Sequence, residues 1–177
     1  MLAIIAGVMS IGLPAIQRVT YQKLNSQTRK FVGLIRTIRN DAVLLNNVYR
    51  LVIDFEKRTY WVEVQREAKL LTETPPPSKK GDPAPPSNFL MAPKYSKEPV
   101  AMPDGVAFDG VLKEREGLIK EGRAYIHFFP SGFNEQAILY LKKEGSQKVS
   151  YSLVLRPTSG KVEIMPDVVR EFEVYSK

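Results

Sequence analysis

The spacing of hydrophobic residues changes twice along the chain, and each change marks a different kind of element. Residues 1–16 carry no charge and a single polar side chain, Ser10. From residue 24 to residue 45 apolar side chains recur every three or four positions, which is the repeat of one helix face. Beyond residue 47 short apolar and polar runs alternate, as in strands. The pattern therefore predicts an α+β protein, in which one long helix packs on a small antiparallel, sandwich-like β-domain.

The uncharged segment 1–16 admits three interpretations: a membrane anchor, a cleavable signal peptide, or a buried core helix. It is shorter than the roughly 20 apolar residues of a spanning helix. A signal peptide would show a basic region before the apolar run and a small-residue cleavage site after it, and neither is present. We favour the anchor, and we expect a local bend at the internal proline. The residues expected to serve in the anchor and in assembly are Ile4, Ile5, Val8, Ile11, Leu13 and Pro14.

The second part of the helix is amphipathic. Its apolar stripe is spaced 4-3-4-3-4-3 and is interrupted once, at Thr28. Asn46 and Asn47 are a plausible stop, because asparagine tolerates the left-handed conformation that closes a helix. The residues expected to pack on the β-domain are Phe31, Ile35, Ile38, Ala42 and Leu45.

Two domains follow from these patterns. Residues 1–46 form the helix, and residues 47–177 form a β-rich domain that contains a proline-rich insertion at 74–103. The insertion is predicted to be a mobile surface loop, because its first part has many prolines and few hydrophobic residues. The predicted strands are 48–55, 59–64, 105–112, 124–129, 137–142, 149–156, 161–164 and 168–174.

Charge is concentrated in one element. The formal net charge is +7, and the stretch from Gln17 to Asn46 contains six cations and one acid, Asp41. A basic segment that follows an apolar one suggests contact with anionic lipid head groups or an acidic partner, although a solvated helix face would have the same composition.

Residues that could carry catalysis are scarce. There is no cysteine, and the single histidine, His127, lies in an apparent strand without the spacing of a metal site. Phosphate-binding glycine loops and a nucleophile elbow are also missing from the sequence, and Ser131 fits a Pro-Ser-Gly turn. Trp61, Tyr49 and other strand aromatics fit sheet packing better than a platform for single-stranded nucleic acid. The sequence therefore predicts a protein that is not an enzyme and has no cofactor.

Four segments, in this order along the chain, resemble one known family. An apolar helix reaches a proline at 6–14, and an arginine- and alanine-containing helix passes an asparagine into the first strand at 38–51. A Phe-Pro-Ser-Gly turn lies at 129–132, and a Thr-Ser-Gly-Lys-Val hairpin closes the series at 158–162. In this layout the chain resembles the type IV pilin-like proteins, and within them the minor pseudopilins of type II secretion, general secretion pathway protein H (the GspH/FimT-like group).

The resemblance implies a structural subunit of a secretion pseudopilus, held in the bacterial inner membrane by a single pass with its β-domain in the periplasm. Its expected partners are other pilin-like subunits in a filament or tip complex and, in addition, secreted cargo. The family's basic leader, glycine cleavage site and first-turn glutamate have no counterpart among these residues, so no residue here is assigned their roles.

An alternative within the same group is a minor type IV pilin that binds DNA or another ligand through its β-domain. Such a protein should cluster cations on one exposed face of that domain. Acidic residues are interspersed with the candidates in the sequence, which weakens this alternative. The candidate cations are Lys142, Lys143, Lys148, Arg156, Lys161 and Arg170.

Overall fold

In the computed structural model of the chain, the described residues are 2–65, 88–145, 150–169 and 172, with side chains described from residue 21 onward. They comprise one helix, α1, at Leu2–Leu44, followed by strands. The strands are β1 Tyr49–Asp54, β2 Thr59–Gln65, β3 Phe89–Met91, β4 Val100–Ala101, β5 Val106–Lys113, β6 Gly117–Ile119, β7 Arg123–Phe128, β8 Ala137–Lys143, β9 Ser150–Leu155 and β10 Val162–Pro166.

The strands form two antiparallel sheets. The first has the order β3-β2-β1-β7, and β4 also pairs with β2. The second has the order β10-β9-β8-β5-β6. Residue pairs such as Leu51 with Val62 and Leu139 with Leu153 fix the registers, and their buried side chains face the same core. The predicted α+β class, a helix on antiparallel sheets, is confirmed.

Helix α1 and both sheets share one hydrophobic core. Phe31 contacts Tyr60 of the first sheet and Phe108 of the second, with ring centroids 4.6 and 5.8 Å away. The helix thus lies where the two sheets meet, and its apolar stripe closes the core. The helix residues in this core are Leu24, Phe31, Ile35, Ile38 and Ala42.

The helix ends where the asparagine pair predicts. Its last residue is Leu44, and Asn46 adopts a left-handed conformation with φ of 51°. The Asn47 amide donates to the Ala42 carbonyl, which satisfies one of the carbonyls left over at the helix end.

Leu45 is a correction to the predicted packing stripe. It was expected to pack on the β-domain, but it is 53% exposed. The last helix residue is Leu44, so Leu45 lies in the turn beyond Ala42, the last helix residue in the core.

The proline-rich insertion was predicted to cover 74–103, but its second part belongs to the folded β-domain. Residues 74–87 lie outside the described residues, but residues 88–103 belong to the folded domain. Phe89–Met91 pairs with β2 as an edge strand, and Ala92 and Met102 are buried in the core. Cross-strand pairing therefore outweighs the local proline content in this part of the segment.

The predicted strand at 168–174 is also wrong where it can be compared. Val168 and Val169 are not in a strand, and residues 170, 171, 173 and 174 lie outside the described residues. Val169 instead packs, with Phe172, on a second small cluster formed by Ile138, Tyr140 and Val154. The Ser152 hydroxyl holds this segment, donating to the Asp167 carbonyl over 2.6 Å.

The residues predicted to form the membrane anchor lie in α1, which continues through Pro14. No part of the described helix is both long and apolar enough to cross a membrane. The side chains of these residues lie outside the described ones, and they are Ile4, Ile5, Val8, Ile11, Leu13 and Pro14.

Candidate assembly surface

The inner face of α1 is fixed by polar as well as apolar contacts. Thr28, which interrupts the apolar stripe, is buried, and its hydroxyl donates to the Leu24 carbonyl over 2.8 Å. The buried amide of Gln27 lies 3.6 Å from the Met102 sulfur and 3.4 Å from the Tyr60 hydroxyl. Both buried polar side chains have hydrogen-bond partners, so their burial does not weaken the packing of α1 on the β-domain.

The one acid of this part of the helix is also committed to the domain. Asp41 is buried, and its carboxylate accepts hydrogen bonds from Lys94 at 2.6 and 2.8 Å and from the Tyr95 hydroxyl at 2.6 Å. Burial alone would raise the pKa of Asp41, but these bonds and the Lys94 charge lower it. Asp41 therefore stays ionised at neutral pH. Its charge is paired with Lys94, so it does not neutralise the cations on the outer face of α1.

The outer face of α1 is consequently basic. Lys23, Arg29, Lys30 and Arg36 are exposed, and none of them makes an ion pair with another described residue. The sequence predicted a basic segment, and the structure shows that its cations point away from the core.

Arg39 is the exception among these cations, because the β-domain holds it. Its Nε donates to the Gly132 carbonyl over 2.8 Å, and its guanidinium packs against Gly160. The two glycines lie in neighbouring turns, since the Asn134 amide donates to the Pro157 carbonyl. Three of the four family-like segments thus converge on one arginine, which sequence reasoning did not single out.

The contact of Arg39 with the second of these turns requires a glycine at position 160. A Cβ on Gly160 would lie 2.2 Å from the Cζ of Arg39, and the residue has φ of +62°. A surface cavity of about 290 Å³ opens beside it, lined by Arg36, Arg39, Asn40, Gly160 and Lys161. None of the described residues that line the cavity is a carboxylate, so the cavity is suited to an anionic group.

Gly160→Ala tests this arrangement against Gly122→Ala. Both glycines have a left-handed φ, but a Cβ on Gly122 has no neighbour within 4 Å. We expect Gly122→Ala to cost about 1 kcal/mol of unfolding free energy from the backbone alone. Gly160→Ala should cost about 1 kcal/mol more, because Arg39 loses its hydrogen bond to Gly132. Urea unfolding measures both, and equal losses would show that the Arg39 contact does not contribute.

Large apolar side chains are exposed where α1 ends. Val43 is 47%, Leu44 78% and Leu45 53% exposed. The periodicity offered no reason to single out Val43 or Leu44, because both lie off the stripe that faces the core.

Four of the cations predicted for a DNA-binding β-domain are described, and these four do not form one free cluster. Lys142 pairs with Asp109, and Arg156 pairs with Glu163. Lys143 lies over the Tyr21 ring of α1, and Lys161 lines the cavity. Lys148 and Arg170 lie outside the described residues.

His127 is hydrogen-bonded to an acidic residue, Glu135. Its Nδ1 lies 2.9 Å from the Glu135 Oε2, and its ring contacts Phe89 edge-on. No cluster of three or more metal-ligating side chains occurs among the described residues. His127 and Glu135 are eight residues apart on either side of a turn, so the pair could not be recognised from the sequence. The isolated antiparallel bridge of Phe128 with Asn134 brings β7 and the segment after the turn together.

The strand aromatics serve the packing that the sequence predicts. Tyr49 and Trp61 are buried, and Tyr60 packs on Phe31. Tyr125 lies under the guanidinium of Arg50, 4.4 Å from its ring centroid. They do not form a row of exposed rings.

The solved structures that are similar to this fold include two of the minor pseudopilin EpsH from the type 2 secretion system of Vibrio cholerae. The first is 9% identical, with a TM-score of 0.57 over 81% of this chain and 95% of that one. The second is 11% identical, with a TM-score of 0.51 over 84% of this chain and 97% of that one. No protein-family model and no curated protein matches the chain. The resemblance seen in the sequence is therefore confirmed at the level of fold, which is that of a GspH-like pseudopilin.

Proposed function

We propose that the chain is a minor pseudopilin, a structural subunit of a type II secretion pseudopilus that assembles through its N-terminal helix. The observation that carries the proposal is the pseudopilin fold, whose one long helix is attached to the β-domain by residues from Leu24 to Ala42 and is uncharged over 1–16. The proposed partners are other pilin-like subunits.

Assembly of this kind needs helix packing and no catalytic chemistry. The apolar segment would lie in the inner membrane before assembly, with the β-domain in the periplasm, and would then pack against neighbouring helices. Small residues permit close approach of helix backbones in an apolar environment. The segment contains Ala6, Gly7, Ser10 and Gly12 between its larger apolar residues.

Co-purification from membranes tests the proposal. The full chain should bring down pilin-like subunits and secretion proteins of the inner membrane, identified by mass spectrometry. Val8→Glu places a charge in the apolar segment and should abolish this recovery, because burying an unpaired charge between apolar helices is strongly unfavourable. Leu118→Glu is the matched control, since Leu118 is 50% exposed on the edge strand β6.

The outcomes separate the alternatives. Recovery by the Leu118→Glu variant and loss by the Val8→Glu variant would support assembly through the helix. Recovery of pilus proteins in place of secretion proteins would retain the scaffold role but reassign the filament. A full chain that brings down no pilin-like protein would refute the proposal.

A further inference from the structure

A basic cavity and an apolar patch form one continuous surface at the C-terminal end of α1. The cavity is lined by Arg36, Arg39 and Lys161, together with Asn40 and Gly160. The patch consists of Val43, Leu44 and Leu45. A Cβ added to Gly132 would lie 3.6 Å from the Arg39 Nη2 and 3.6 Å from the Val43 Cγ2. Arg39 of the cavity and Val43 of the patch are therefore neighbours at this glycine. We call this combined area the helix-end surface.

The helix-end surface has charges that the described part of the chain does not neutralise. Arg36 and Lys161 are exposed and make no ion pair with a described residue. The nearest acid along the helix, Asp41, is bound to Lys94 and Tyr95. Arginine and lysine so arranged complement carboxylates, which can accept two parallel hydrogen bonds from one guanidinium.

The apolar half of the surface distinguishes among anionic partners. Leu44 is 78% exposed, more than any other large hydrophobic residue in the part of the chain that the structure describes. Contiguous exposed apolar residues next to polar ones are typical of protein-binding sites. Duplex DNA would satisfy the cations but would leave Val43 and Leu44 in water.

Position along the helix argues against a lipid surface. Arg36 follows the end of the apolar segment at Ile16 by about 30 Å of helix, at 1.5 Å per residue. Attraction to anionic head groups decays over a Debye length of about 8 Å at physiological ionic strength. If the apolar segment lies in a bilayer, the helix-end surface therefore lies beyond the reach of its head groups.

We propose that the helix-end surface binds an acidic segment of a partner protein. Carboxylates of the segment lie on Arg36, Arg39 and Lys161, and an apolar side chain lies on Val43 and Leu44. A two-fold pairing with a second copy is disfavoured, because it would bring the same cations together. The inference goes beyond the proposed function, which places assembly on the apolar segment 1–16.

The test uses the purified full chain in detergent and a fluorescent peptide of glutamate and leucine, followed by anisotropy. Arg36→Glu combined with Lys161→Glu should weaken binding about tenfold. Lys97→Glu combined with Lys120→Glu makes the same change in net charge at exposed sites elsewhere and should leave binding unchanged. Leu44→Ser should weaken binding about threefold, because one exposed apolar contact is lost.

Two peptide analogues and two other anions complete the test. Glutamine in place of glutamate should abolish binding, and serine in place of leucine should remove the effect of Leu44→Ser. Equal weakening by the two double variants would overturn the proposal, because only net charge would then matter. Failure of the peptide to bind, or tighter binding of phosphatidylserine vesicles or duplex DNA through Arg36 and Lys161, would also overturn it. These results do not depend on recovery of pilin-like subunits, so the two proposals can fail separately.

Discussion

Replacement of Phe31 by alanine is expected to lower the free energy of unfolding by about 4 kcal/mol. Phe31 is completely buried, and its ring is in contact with Tyr60 and Phe108. Because these two rings belong to different sheets, the substitution would leave a cavity where the helix and both sheets meet. The cost combines the lost transfer free energy of the ring with the cavity that remains.

Phe133→Ala is the matched control, because it removes the same side chain from a site that is 49% exposed. Its cost should stay below about 1 kcal/mol, as for most exposed substitutions. Urea unfolding followed by circular dichroism gives both values, and for a chain of 177 residues Phe31→Ala should lower Tm by roughly 8–16 °C. A loss for Phe31→Ala as small as that for Phe133→Ala would contradict a core shared by the helix and both sheets.

The parts of this fold that depend on nearest neighbours in sequence could be predicted. The helical repeat identifies the face of α1 that contains Phe31 and Ile38, since packing on one side requires apolar residues every three or four positions. The repeat does not determine where the helix stops. Asn46 determines it, which is why Leu45 is exposed although it continues the repeat.

Edge strands could not be predicted, because their stability comes from a partner strand. Phe89–Met91 is three residues long and follows a proline-rich run, so its local composition favours a loop. Its pairing with Glu63, Val64 and Gln65 of β2 makes it a strand. The only local signal was the apolar run Phe89-Leu90-Met91.

The helix-end surface could not be predicted either, for the same reason. Arg39 depends on Gly132 and Gly160, which come from turns distant in sequence. Each turn was recognisable as a turn, and each belonged to a family-like segment. Their convergence on one arginine is a property of how the second sheet packs on α1, and no periodicity encodes it.

Glu135 is one of the groups through which acid should destabilise the folded domain. Its Oε2 accepts hydrogen bonds from the His127 backbone amide and from Nδ1 of the same residue, each at 2.9 Å, and lies 3.3 Å from the Lys113 Nζ. Burial alone would raise the pKa of Glu135, but the His127 contacts and the Lys113 charge lower it to about 2. The ordinary value is 4.5.

The direction of the pH effect follows from this lowered pKa. The unfolded chain binds a proton on Glu135 near pH 4.5, whereas the folded chain does so only near pH 2. The stabilisation is therefore complete above about pH 5 and is lost as the pH falls through about 2. At 1.36 kcal/mol per pKa unit its upper limit is about 3 kcal/mol.

Glu135→Gln should remove this contribution and its pH dependence together. At pH 7 the variant should be less stable than the natural chain by up to about 3 kcal/mol, and the difference should shrink toward zero as the pH approaches 2. Glu121→Gln is the matched control, because Glu121 is exposed and should change stability by less than about 0.5 kcal/mol at any pH. Urea unfolding at several pH values measures the difference. A difference that stayed constant from pH 7 to pH 2 would show that Glu135 acts through packing and not through its charge, because only the loss of a charged interaction depends on protonation.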